Sequence, residues 1–568
     1  MTGRCAYSEM RGESFPSKQV EFALAATPPS CPPPGRVPGQ GSTCIFIRNH
    51  ARFVKDDGVR KVCVCKGFGV NSGKFTNGEV PFKMSKALVL KPPVDKHSRN
   101  IVRDFVYGCW CNGRRIGGMQ MPPLNELYVA THARSQGLDV EFLDAQFERS
   151  RFEEYERDDY REVGAVVLMS STQSFRSDAE LLKHIKSRNP AVKGILFGSH
   201  PTFMPEVCLS AEAVDFVVRR EPEATMAELL GAVLGGGDGF GLQGTVHRSP
   251  DGSVMINPAR PFMEMDDLPI PDRSLLPRGI DYFNPVVKRM PYATMQTSRG
   301  CPGKCIFCTA PEFYGKRIRC RSPENVLEEL RVIKSQGYRE VFFRDETFTA
   351  YKSRNHEICE AMVSERLGLP WIANGRADMI DKETLVLMRK AGCHLIKFGV
   401  ETSSDEILAN YHKGTTAEQA EQAFRWAREA GLDTHAHIIF GGPGESEETI
   451  RQTIDFAKKI KASTASFGIL TPYPGTRLFE QVAKEHPEIS DGSDSNMENL
   501  HTEGFYSQSV CGMPGEILSK WIVRAYRRFY WRPVYLLGRL VRIRSLDEFM
   551  SLLLAGLNIF HFSVRGQK

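Results

Sequence analysis

The segment SRGCPGKCIFC carries Cys301, Cys305 and Cys308 in a C-x3-C-x2-C pattern. Three thiolates on one tight loop can each take an iron of a [4Fe–4S] cluster and leave the fourth iron open. An open iron accepts a substrate-like ligand, whereas a fourth thiolate would close the site into a structural or electron-transfer centre. Cys320 is the nearest spare thiol and lies beyond the excursion Pro311–Lys316, so a closed site is the weaker alternative. The 15 cysteines are thinly and unevenly spread over 568 residues, which excludes a secreted disulfide scaffold. In a reducing compartment, clustered thiols are candidates for metal ligation.

Such a loop must be presented by a strand, and one precedes it. From Tyr292 onward six apolar runs read as strands: Ala293–Gln296, Glu340–Phe343, Trp371–Asn374, Leu395–Val400, Thr434–Phe440 and Ser466–Leu470. Helices separate them, one opened by Ser322-Pro323-Glu324, an N-cap with proline just inside. Six βα units predict a partial (β/α)6 TIM-type barrel over 291–487, whose chemistry belongs at the strand C-terminal ends. Those ends are polar: RDETFT (344–349), NGRAD (374–378), FGVET (398–402), FGGPGES (440–446) and TPYPGT (471–476). Each has a bland reading, since an acid or serine after a strand is often a helix cap. Five at successive strand ends argue for a site. His435 and His437 alternate on the fifth strand and read as core histidines.

Upstream, residues 84–237 alternate strands at 87–90, 140–143, 165–169, 194–197 and 216–218 with helices, the pattern of a doubly wound parallel sheet. Residues 238–290 hold a hairpin turned by Pro250-Asp251-Gly252 and a proline-rich connector. Residues 1–83, with six prolines in Thr27–Ser42, read as a disordered leader, with Met84 as the expected native start. Residues 488–568 form a polar, then helical, basic C-terminal segment. The fold class is therefore α/β, with a helical appendage.

C-x3-C-x-aromatic-C after a first barrel strand resembles the radical S-adenosylmethionine (SAM) superfamily, with Phe307 as the aromatic residue. The resemblance implies that Cys301, Cys305 and Cys308 hold a [4Fe–4S] cluster whose open iron chelates SAM, and that reduction yields a 5′-deoxyadenosyl radical. It further implies Glu346 for the SAM ammonium, Arg376 for its carboxylate, Glu401 for the ribose, and Gly441, Gly442 and Pro443 for adenine. A doubly wound domain ahead of this barrel resembles the cobalamin (B12)-binding class of the superfamily. There the corrin would meet Asp95 and His97 of DKHSRN, Ser170 and Ser171 of MSSTQSF, and Gly198 of FGSHPT. Asn100 stands where the related D-x-H-x-x-G motif has glycine. The loop YGCWCNGRRIGG, with Cys109 and Cys111, reads as packing or a substrate lid.

These implications lead to methylation of an unactivated carbon, with SAM supplying the radical and, through methylcobalamin, the methyl group. Radical cyclisation or rearrangement without methyl transfer is the alternative, and a non-enzymatic iron–sulfur or cobalamin sensor is the reading from another class. The expected partners are a small-molecule substrate, with lipid or isoprenoid as one class, and an external electron donor. Net charge is +6. Residues 1–83 hold 12 basic and 6 acidic side chains and 515–568 hold 10 and 3, which leaves 52 basic against 59 acidic in between. The basic excess sits at the two ends, so no nucleic-acid partner is expected. Glu516–Pro533 spaces Leu518, Trp521, Ile522, Ala525 and Phe529 as one helical face, with arginines on another. That face either packs on the barrel or contacts a membrane. The expected location is cytoplasmic, with membrane association on the cytoplasmic face as an option.

Overall fold

The apolar runs form two largely parallel sheets. The computed structural model describes residues 44–46, 51–56, 59–64, 86–92, 119, 121–145, 160, 162–277, 282–489, 504, 506–543 and 545–565. The chain divides into two units, Met1–Lys83 and Met84–Lys568. In the first, β1 (Cys44–Phe46), β2 (Ala51–Asp56) and β3 (Val59–Val64) pair antiparallel. The disordered-leader reading had no strands here. Asp57-Gly58 between β2 and β3 is a composition that two-residue hairpins favour, a local signal overshadowed by the prolines upstream.

The second unit begins with β4 (Lys86–Lys91), β5 (Val140–Asp144), β6 (Val163–Met169), β7 (Lys193–Phe197) and β8 (Phe216–Val218), all parallel. β6 reads VGAVVLM and is buried nearly throughout, because helices cover both faces. The hairpin expected in the connector is part of this sheet. Its strands β9 (Thr245–Arg248) and β10 (Val254–Ile256) extend the sheet antiparallel beyond β8. The order is β10-β9-β8-β7-β6-β4-β5.

β11 (Tyr292–Met295) starts the barrel sheet. The short β12 (Ser298–Arg299) and β13 (Arg319–Cys320) form a separate antiparallel pair that brackets the cysteine loop. Then come β14 (Glu340–Phe343), β15 (Trp371–Gly375), β16 (Cys393–Glu401), β17 (Asp433–Phe440) and β18 (Thr464–Ile469). The order β11-β14-β15-β16-β17-β18 is parallel throughout, as expected. The expected N-cap is present: Ser322 Oγ accepts from Asn325 N–H at 3.3 Å.

A parallel sheet that does not close leaves an edge at β18, and edges invite pairing. Helix Gly515–Tyr530 covers it. Tyr530 Oη accepts from Ala465 N–H (2.9 Å) and donates to Ala465 O (2.7 Å), and Tyr526 Oη accepts from Phe467 N–H (3.4 Å). Leu518, Trp521, Ile522, Ala525 and Phe529 are buried against the barrel core. Burying each large apolar side chain contributes about 1.5–3 kcal/mol. This exceeds the roughly 1 kcal/mol that a surface-exposed arginine contributes near an anionic leaflet. The expected apolar stripe therefore belongs to the barrel.

Candidate functional site

Strand-end carboxylates anchor the cysteine loop. Asp345, two residues past the end of β14, accepts from Thr297 N–H (2.6 Å), Thr297 Oγ1 (2.5 Å) and Ser298 Oγ (2.6 Å), so it fixes the chain entering the loop. Its neighbour Glu346 accepts from Gly300 N–H at 3.2 Å, while Glu346 Oε1 is buried without a partner. Burial, with Asp345 beside it, pushes the Glu346 carboxyl up to about 8. Arg299 and the Gly300 N–H act in the opposite direction, and a cation arriving at Oε1 would favour the ionised carboxylate that burial disfavours.

Inside the loop, Gly303 N–H donates to Cys301 Sγ at 3.4 Å. A side chain at Gly303 would meet Cys301 Sγ (3.3 Å), Arg376 Nη1 (3.4 Å) and Cys305 Sγ (3.8 Å). The missing Cβ thus leaves a cradle between two thiols and a guanidinium. Burial pushes the Cys301 thiol up, and Gly303 N–H and Arg376 act in the opposite direction. Among the described residues no three His, Cys, Asp or Glu side chains converge on a single ion. Ligands of a cubane need not do so, because each thiolate takes a different iron. The donor set and the cradle fit a cluster held by this loop. Cys320 sits apart on β13, its backbone paired with Ser298.

Arg376 departs from expectation. Its Nε and Nη2 form a fork on Asp378 (3.0 and 2.9 Å), and Nη2 also donates to Lys413 O (2.8 Å). Asp378 lies two residues away and captures the guanidinium first, so only Nη1 is turned to the loop. Glu401 ends β16 in the left-handed region (φ 64°), where a non-glycine residue is strained. Its Oε1 pairs with Lys413 Nζ at 2.6 Å, and its Oε2 is buried without a partner. Lys413, absent from the sequence reading, is buried and joins Glu401 to Arg376.

Phe307 packs edge-on against Tyr411 at 5.3 Å, and Ile306 N–H donates to Tyr411 O (3.1 Å). The space a side chain would need at Gly442 is filled by the Tyr411 ring, and at Gly441 by Leu518 (2.8 Å). These glycines therefore have a packing reason beside the one expected. Pro443 O accepts from Asn410 Nδ2 (2.9 Å) at the rim. Ser446 is the N-cap with a capping box, as its bland reading held. Glu445 beside it was not singled out, although burial pushes its carboxyl up to about 7. His435 and His437 share Ser466 Oγ (3.2 and 2.9 Å), and burial holds both well below the usual histidine range.

The first sheet turns its strand ends to this region. Gln173 Nε2 donates to Tyr473 Oη at 2.6 Å, and the Phe203 ring occupies the space beside Gly475. Gly198 has φ 126°, and a Cβ there would strike Ser170 O. Ser170 Oγ and His200 Nε2 are buried without partners; Ser171 Oγ meets Ser174 Oγ at 3.1 Å, and Thr172 Oγ1 meets His200 Nδ1 at 3.3 Å. Unsatisfied buried polar atoms at the ends of β6 and β7 fit a polar-rimmed group such as a corrin. Asp95, His97, Cys109 and Cys111 lie outside the described residues.

Arg299 binds the two halves together. Its side chain is 1% exposed and pairs with Glu223 (2.6 Å), at the start of the helix after β8, and with Glu221 (3.5 Å), in the turn before that helix. The Tyr128 and Tyr314 rings flank it at 5.5 and 5.3 Å.

Residues 295–457 match the Radical SAM superfamily and residues 117–230 the B12 binding domain. An uncharacterized methyltransferase of Pyrococcus horikoshii is 32% identical over 459 residues, covering 80% of this chain and 94% of the relative. An anaerobic magnesium-protoporphyrin IX monomethyl ester cyclase of Rubrivivax gelatinosus is 30% identical, covering 75% and 76%. The solved structure of the cobalamin-dependent S-adenosylmethionine radical enzyme OxsB, 16% identical, shares the fold with a TM-score of 0.59 over 93% of this chain and 83% of that one.

Proposed function

Because this chain belongs to the B12-binding class of the radical SAM superfamily, and is an enzyme, we propose that it methylates an unactivated carbon of a small molecule. When bound, the cluster supplies the electron that splits SAM, and cobalamin carries the methyl group. The observation that carries the reading is the cradle at Gly303, where Cys301, Cys305 and Arg376 meet at the mouth of a barrel facing the first sheet.

In this reading Cys301, Cys305 and Cys308 hold the cluster. Glu346 receives the SAM ammonium on its unpartnered oxygen, and Arg376 Nη1 approaches the carboxylate. Glu401, held by Lys413, takes ribose hydroxyls, and the Gly441–Pro443 turn with Phe307 lines the adenine side. Ser170, Ser171 and Gly198 meet cobalamin. The Gln173–Tyr473 contact joins the strand ends of the two sheets.

Anaerobic protein loaded with iron, sulfide and cobalamin, given SAM and a one-electron donor, is expected to form 5′-deoxyadenosine and S-adenosylhomocysteine together. Deoxyadenosine without S-adenosylhomocysteine in the presence of turned-over substrate would instead support the cyclisation reading. The match to 94% of a methyltransferase, against 76% of a cyclase, favours methyl transfer.

A second observation bears on the substrate. Helices Pro533–Leu540 and Leu546–Arg565 expose Val534 (84%), Leu537, Leu540, Leu546 (75%) and Leu557, and Val541 (84%) and Arg542 between them are exposed too. Among the described residues no helix is long and apolar enough to cross a membrane. Exposed apolar side chains on a basic segment support docking on an anionic leaflet, and with it a lipid or isoprenoid substrate reached from the cytoplasmic face. The full chain is expected to sediment with phosphatidylglycerol vesicles and not with neutral ones. Val534→Asp with Val541→Asp should abolish this, and sedimentation that is indifferent to both changes would exclude lipid docking.

A further inference from the structure

Beyond the barrel mouth, a cavity of about 130 Å³ opens where β8 ends, lined by Arg219, Arg220, Arg260, Thr202, Glu221 and Phe262. We propose that it is an oxyanion site, taking a phosphoryl or carboxylate group.

The charge balance is positive. Glu221 is taken up by Arg319 and Arg299, and Arg260 is paired with Glu228. Among the described residues no carboxylate pairs with Arg219 or Arg220. Arg219 gives one Nη2 bond to Asn257 O (2.5 Å), and its Nε is buried without a partner. Arg260 Nε is likewise buried and unpartnered. Two guanidinium N–H donors on lining residues are thus withdrawn from water with nothing to bond, a costly arrangement, and an oxyanion in the cavity would offset the charge those side chains carry.

The backbone is shaped to the same end. Arg220 sits at φ 60°, held there by its N–H donating to Thr202 Oγ1 at 2.8 Å. This strained residue sets adjacent arginines on one cavity, and like charges so close raise the local field. Burial, reinforced by Arg220, lowers the Arg219 guanidinium below its usual range. Ala224 lines the cavity from the first turn of helix Glu223–Leu234, whose positive end adds to the attraction.

The oxyanion has two possible sources: the phosphodiester of cobalamin, or a phosphate or carboxylate on the substrate or free in solution. Inorganic phosphate and pyrophosphate, titrated calorimetrically into the full chain, should bind in the millimolar range or tighter. Arg219→Gln and Arg220→Gln should each weaken this at least tenfold. Arg220 is exposed, with its side chain over the Phe262 ring (5.6 Å), so its variant tests the site without risk to the fold. Cobinamide, which lacks the nucleotide phosphate, separates the sources. If the variants weaken cobalamin and not cobinamide, the phosphodiester is the occupant; if they spare both and still lose phosphate, it is the other source. Wild-type protein that takes up no phosphate at millimolar concentration, or variants that bind it as wild type does, would overturn the proposal.

Discussion

Cys301→Ala is expected to abolish 5′-deoxyadenosine formation while leaving the fold intact. The side chain is small and 9% exposed, and its removal leaves the Asp345 bonds to Thr297 and Ser298 in place. A thermal melt near that of the wild type is therefore expected. In the proposed reading the cluster depends on all three thiolates, because the fourth iron is left for SAM. Iron and sulfide per chain should fall to the level of unreconstituted protein. The deoxyadenosine rate should drop by at least about a thousandfold, equivalent to roughly 4 kcal/mol of barrier. A variant that retains its iron and still makes deoxyadenosine would show that the cluster sits elsewhere. Cys320→Ala is the matching control: it should keep both iron and activity, because its backbone is committed to the β12–β13 pair.

Arg299→Met should produce the largest loss of stability. It leaves Glu223 buried with no cation and Glu221 with Arg319 alone. Removing one partner of a buried pair costs about 3–5 kcal/mol, far more than the pair itself adds over an apolar replacement. For a cooperative unit of 150–250 residues that corresponds to a melting temperature roughly 6–20 °C lower. Glu223→Gln in the same chain should restore much of the loss, because the uncompensated charge is then removed. A melting point within two degrees or so of wild type would mean that water reaches Glu223 and that the pair does not join the halves. Arg299 stands two residues before Cys301, so the variant should also loosen the cysteine loop against the first sheet. Lower iron retention in Arg299→Met at temperatures where the fold persists is the expected sign.

The barrel was legible because β11, β14, β15 and β16 are buried on both faces and appear as near-continuous apolar runs, with β17 and β18 following in the same spacing. The chemistry of such a fold follows each run directly. Expected and observed bounds of β14 coincide, and those of the other five differ by one or two residues. Cys301, Glu346 and Glu401 could be singled out for the same reason. Lys413 could not: it follows a short helix and acquires meaning only by folding back on Glu401. Glu445 was hidden beside a serine with an ordinary capping role. The hairpin β9–β10 was read correctly as a hairpin and wrongly as a connector, since its pairing partner β8 is not adjacent to it in sequence.

The sequence by itself determined the cysteine spacing, the alternation of strands and helices, and the residues at each strand end, all of which are local patterns of one or two dozen residues. The family follows from these. Only the tertiary structure decided how the halves meet: Arg299 with Glu223 across 76 residues, and Gln173 with Tyr473 across 300. It also decided that the helix at 515–530 seals the β18 edge, leaving the exposed apolar face to the two helices after it. Periodicity records which side of an element is apolar. What covers that side depends on three-dimensional packing between segments far apart in the chain, and no local pattern carries that information.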